Sequence, residues 1–77
     1  MSHTPHELSE EFPAAQERIR ALCLENAHFQ KLSDRYHEVN RAIHRAESNV
    51  EPIGDATEVE MRRERVRLKD EIARMLA

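Results

Sequence analysis

The side chains able to do chemistry are few in kind: five histidines, one cysteine, fifteen carboxylates and twelve lysines and arginines in 77 residues. A metal site is the first chemistry to weigh. His37 and His44 are seven residues apart, hence ~10.5 Å apart along a helix. A zinc ion holds its nitrogens at about 2.1 Å, so one ion cannot take both from one helix. His3 and His6 have helical spacing, but no acid follows them at ligand spacing. No metal site is expected.

Nucleophilic and acid–base chemistry fare no better. Cys23 follows Leu22 in an apolar stripe and reads as a small buried hydrophobe, not as a redox or catalytic thiol. The single glycine leaves no phosphate-cradling loop, and no serine sits on a nucleophile elbow. Glu10 and Glu11 are neighbours that a helix or turn points apart. A small helical hairpin is expected to offer no concave pocket of ~300 Å³ or more. The residues therefore predict a chain that is not an enzyme and needs no cofactor.

The strongest charge feature is "RRERVRLK". Residues 62–69 hold five bases, Arg62, Arg63, Arg65, Arg67 and Lys69, against the single acid Glu64. Such a run can meet phosphates or an acidic partner. Set against that, Glu58–Arg62 and Asp70–Arg74 are four apart, and Glu60–Arg63 and Glu64–Arg67 are three apart, the spacings of intrahelical pairs on a wet face. No aromatics interleave for base stacking. The net charge of −3 gives no general pull toward nucleic acid or anionic membrane. Nucleic-acid or ribonucleoprotein binding is kept as the alternative to a protein-interaction role. An acidic counterpart, Glu7, Glu10, Glu11 and Glu17, is expected to meet the basic run within a dimer.

These side chains must be positioned by helices. Charged residues are 35% and aromatics 4% of the chain, with one glycine and three prolines, a composition too poor in β-branched and aromatic runs for a sheet. Thr4, Pro5 and Glu7 have capping-box spacing and predict a short helix over 5–11. Pro13 ends it. A long helix is predicted over 14–49. Leu8, Phe12, Ala15, Ile19 and Leu22 form one heptad stripe. Phe29, Leu32, Tyr36, Val39, Ile43, Ala46 and Val50 form a second. The two do not join, so a kink or break is expected at 25–28, with Asn26 a fair cap for a new helix. Pro52 and Gly54 mark a turn over 50–55. Asp55 with Glu58, and Thr57 with Glu60, have capping-box spacing, and a second long helix is predicted over 56–76.

The expected fold is therefore all-α: an antiparallel, coiled-coil-like helical hairpin with a short N-terminal helix, forming one small domain. With Phe29, Tyr36 and Ile43 at heptad position a and Leu32, Val39 and Ala46 at d, His37 and His44 fall at b and Arg41 at f. These charged residues are expected to lie in solvent, away from the seam. On the second helix Met61, Leu68, Ile72 and Met75 make one apolar cluster, and Val59, Val66 and Ala73 another. One a/d stripe covers only the first. The second predicts either cover by the folded-back N-terminal segment or, as the favoured reading, a homodimer. The candidate interaction surface is thus Val59 and Val66 with Arg62, Arg63, Arg65, Arg67 and Lys69. No apolar run approaches the ~20 residues of a membrane span, "MSHTPHELSEEF" has no signal-peptide pattern, and a lone cysteine fits a reduced, cytoplasmic setting.

Three blocks, "HELSEEFP", "HFQKLSDRYHEVNRAIHRAE" and "RRERVRLKDEIARML", occur in order at fitting distances. Together, from about His6 to Leu76, they resemble the YdcH-like family of small bacterial proteins, a domain of unknown function. The elements carrying the likeness are His6, Glu7, Phe12 and Pro13, then Phe29, Leu32, Tyr36, His37, Asn40, Ile43 and Glu47. Arg63, Leu68, Lys69, Asp70 and Ile72 complete it. The resemblance implies a coiled-coil-prone hairpin in a bacterial cytoplasm and no established activity. Its exposed matched positions, such as His37 and Lys69, leave room for a binding surface, and an unknown protein partner is expected.

Overall fold

The computed structural model of the chain describes residues 4–48 and 54–77. Among these described residues four α-helices follow one another: α1 (Leu8–Glu11), α2 (Gln16–Glu25), α3 (Ala27–Glu47) and α4 (Asp55–Leu76), with one 3₁₀ turn at Pro13–Ala15. The described residues are helical with no strand. α3 and α4 pair as the hairpin, and the segment from Thr4 to Glu25, here the arm, folds back along α3.

The first helix is shorter than its sequence suggests. It begins at Leu8, not Pro5, and no side chain caps it. His6 is the reason: its φ of 63° places it in the left-handed region, which no helix can include and which costs a non-glycine residue ~1–2 kcal/mol. The Thr4–Glu7 capping box does not form. Pro13 starts the 3₁₀ turn, so α2 begins at Gln16, two residues later than expected. The predicted break is at Asn26. Its backbone is extended, at φ −130° and ψ 107°, and its side chain accepts a hydrogen bond from the Phe29 amide at 3.1 Å. An asparagine N-cap of this kind contributes ~1 kcal/mol relative to alanine. The predicted turn lies largely outside the described residues, as does Val50. Gly54 is the N-cap of α4 and Asp55 its first residue, so neither acid spacing at the start of α4 acts as a capping box.

The core lies on α3. Phe29, Tyr36 and Ile43 at a are fully buried, and Leu32, Val39 and Ala46 at d are nearly so. The buried face is wider than that seam, because Ser33 and Asn40, both at e, are also buried. Two neighbours explain the width. On the g side α3 faces α4: Arg35 makes a two-pronged ion pair with Glu64, at 2.6 and 2.8 Å, and His28 lies 3.2 Å from Glu71. The b and e side faces the arm. Leu8 is buried there, and Phe12, Ile19, Leu22 and Cys23 pack against the cluster of Phe29, Leu32, Tyr36 and Ile72. Leu68, Met75 and Leu76 of α4 close it from the other side. In a chain of this size a single α3–α4 seam removes little apolar surface from water, and the arm makes up the shortfall.

Candidate interaction site

Two regions gather the polar and apolar groups a partner would meet. One is the junction of arm and hairpin. The other is the outer face of α4.

At the junction α3 holds the arm by its backbone. The Tyr36 hydroxyl donates to the His6 carbonyl at 2.6 Å. The Asn40 amide donates to the Pro5 carbonyl at 2.8 Å. The Asn40 carbonyl oxygen in turn accepts from Arg65 of α4 at 2.9 Å, so a single buried amide ties three segments together. Ion pairs surround it. Lys69 donates to Glu11 at 2.8 Å, and His6 Nδ1 is 3.5 Å from the same carboxylate. The hydrogen bond from Lys69 holds the Glu11 carboxyl below the usual carboxylate range. His37 Nδ1 lies 2.7 Å from Glu7 Oε2, at an angle that leaves this buried nitrogen without an aligned hydrogen bond.

His37 therefore departs from the sequence reading. It points away from α4, as position b requires, but the arm packs over it and its side chain is only 31% exposed. It also meets the Tyr36 ring edge-on, with centroids 6.1 Å apart. The acidic N-terminal segment likewise meets the basic run within one chain, through Glu11 and Lys69, where the sequence suggested a contact across a dimer. None of the roles of Tyr36, Asn40 and Arg65 at this junction was read from periodicity. The signal that pointed there was the set of matched blocks, which contains His6, Glu7, Tyr36, His37, Asn40 and Lys69.

The arm also creates a groove that a bare hairpin would lack. It measures about 360 Å³ and is lined by Glu7, Ser9, Ile19, Cys23, Ser33 and His37 among others. The expectation of no concavity near ~300 Å³ is corrected by this. Among the described residues no three His, Cys, Asp or Glu side chains are placed to share a metal ion.

Tyr36 supplies a probe of the junction, because it is the only tyrosine. Burial, with the Glu11 charge next in weight, pushes its hydroxyl up to about 12. A folded-state value above the unfolded one means that its contribution to stability is complete below ~10 and is lost as pH rises toward 12. Phenolate absorbance should thus show no titration near pH 10 while the chain stays folded, then rise together with loss of helix. Titration at about 10 with helicity intact would mean that Tyr36 is not buried under the arm.

On α4 the basic run is dispersed around the helix. Arg62 reaches Glu58 at 2.8 Å and Glu47 at 3.0 Å. Arg63 is 3.5 Å from Glu60. Arg65 and Lys69 turn to the junction. What α4 presents outward is Val59 and Val66, 44% and 56% exposed, in a shallow groove of about 420 Å³ with Arg62, Arg63 and Arg67. The arm covers the other side of the hairpin and leaves these valines uncovered. The seven candidate residues thus divide: Arg65 and Lys69 are structural ties, and the other five make one surface.

Residues 29–76 match the model of a family described as "Protein of unknown function (DUF465)". The chain belongs to this family. The YdcH-like resemblance points to the same family. The DUF465 match opens at Phe29, the first buried residue of α3, and closes at Leu76, the last residue of α4. It takes in Tyr36, His37, Asn40, Arg65 and Lys69 and stops short of the arm that they hold. No curated protein and no solved structure matches the chain. Among the described residues no helix is long and apolar enough to cross a membrane.

Proposed function

We propose that this DUF465 chain is a non-enzymatic protein-interaction module that works in the cytoplasm and self-associates through the outer face of α4. The observation that carries this reading is the pair Val59 and Val66, two turns apart and 44% and 56% exposed. Single exposed valines are ordinary, but two in register, rimmed by Arg62, Arg63 and Arg67, form the apolar centre and charged rim of a small docking surface. Lattice-free solution measurement decides it. Sedimentation or light scattering over a concentration series should give a mass that rises toward twice that of the chain. Val66→Glu should return it to the monomer with helicity largely kept, since exposed sites tolerate substitution within ~0.5 kcal/mol. A wild-type chain that stays monomeric at high concentration overturns the reading.

The alternative, nucleic-acid binding by Arg62, Arg63, Arg65, Arg67 and Lys69, has less behind it. Four of the five cations already face Glu47, Glu58, Glu60, Asn40 or Glu11. A steep fall in affinity for mixed RNA or DNA with rising salt would favour it instead.

A further inference from the structure

We infer that the N-terminal arm is exchangeable: at Asn26 the chain straightens, and the arm docks on the α3–α4 face of a second copy, giving an arm-swapped dimer. The inference rests on the self-association reading but not on the Val59–Val66 face. It starts from the hinge. α2 and α3 are separated by Asn26 alone, and no proline or glycine lies between Ala14 and Glu47. No backbone breaker stands against Gln16–Glu47 forming one helix about 48 Å long.

Straightening makes few demands at the hinge itself. The Asn26 amide already donates to the Leu22 carbonyl at 2.9 Å, and its carbonyl already accepts from Gln30 at 3.0 Å. The side-chain bond from Asn26 to the Phe29 amide is given up. In return the amides of Ala27, His28 and Phe29 meet the carbonyls of Cys23, Leu24 and Glu25 in the continuous helix. What holds the bend is the arm's cover over Phe29, Leu32, Tyr36 and Ile72. A lone straight chain would leave that face wet. Two straight chains need not. The arm runs antiparallel to α3, with Pro5 and His6 at Asn40 and Tyr36. Two long helices placed antiparallel about a two-fold axis near Asn26 put each arm on the other's α3 in that same sense. The contacts between arm and hairpin, including Lys69–Glu11, are then remade between copies. A connection of one residue between two helices is the kind of short hinge that favours exchange.

Three variants test this in the full chain. Asn26→Ala removes the cap and adds a better helix former, both of which favour the straight form; it should strengthen association by roughly tenfold or more. Asn26→Gly keeps a serviceable cap and disfavours a continuous helix; it should stay monomeric where Asn26→Ala dimerises. Equal association of the two overturns the proposal. The decisive step is mixing, in the Asn26→Ala background, a Glu11→Lys chain with a Lys69→Glu chain. Each alone sets like charges together, in cis or in a swapped homodimer. In a swapped heterodimer both pairs are attractive again. Native mass spectrometry should find heterodimers several-fold above their statistical share, and a statistical mixture overturns exchange. Val66→Glu in the same background separates the two interfaces. A dimer that persists supports exchange. One that dissolves assigns it to the α4 face and overturns exchange.

Discussion

Phe29→Ala is expected to cost about 3–5 kcal/mol, as truncation of a fully buried aromatic does. Phe29 has no exposed surface and belongs to the cluster where α3, α4 and the arm meet. Its backbone amide is also the one capped by Asn26, so the ring anchors the helix at its first turn. A chain of this length has a total stability of roughly 4–12 kcal/mol. The loss should leave the variant partly unfolded in water, with a urea midpoint shifted far down and the arm released. A melt within ~1 kcal/mol of wild type would mean that the three-way cluster is not where the fold is held together.

Leu68→Glu should have an effect of the same order or larger, and it is the counterpart of the surface change at Val66. Leu68 is half-buried and packs on the cluster of Phe29, Leu32, Tyr36 and Ile72. Glutamate there forfeits ~1.5–3 kcal/mol of apolar burial and brings a carboxylate into that apolar cluster without a cation of its own, which costs more. Two cations close to it along α4 are already engaged, Arg65 by Asn40 and Lys69 by Glu11. Circular dichroism should show helicity collapsing for this variant and persisting for Val66→Glu, two residues away. Equal behaviour of the two would invalidate the assignment of faces on α4.

The hairpin was legible because α3 keeps a strict a/d stripe from Phe29 to Ala46, and every member of it is buried. The break was legible too, since the two stripes step out of register and one straight helix cannot turn both toward a single neighbour in the same chain. The arm was not. A heptad frame assumes one neighbour per helix, and α3 has two. Position b, held by His37, therefore reads as wet, and position e, held by Ser33 and Asn40, goes unread, when both belong to the second interface. The start of α1 failed for a different reason. The pattern Thr4-Pro5-His6-Glu7 scores as a capping box, but Tyr36 and Asn40 use the carbonyls of His6 and Pro5 and hold the backbone in a turn. A hydrogen bond made thirty residues away outweighs a local helix signal, and no local rule reports it.

Tyr36 and Asn40 also decide what kind of receptor the hairpin is. They grip carbonyl oxygens, which every residue carries, and so do not read the side chains at positions 5 and 6. What they read is a shape: a turn that passes through the left-handed region at His6 and offers two consecutive carbonyls to α3. Glycine at position 6 would meet that requirement with no backbone penalty. Discrimination among arms falls instead to Glu7, Leu8 and Glu11, whose side chains meet His37, the apolar cluster and Lys69. The hairpin is in this sense a socket keyed by main-chain form first and by a short acidic–apolar code second. The side chains at positions 5 and 6 of the arm can drift in sequence while the main-chain fit is retained.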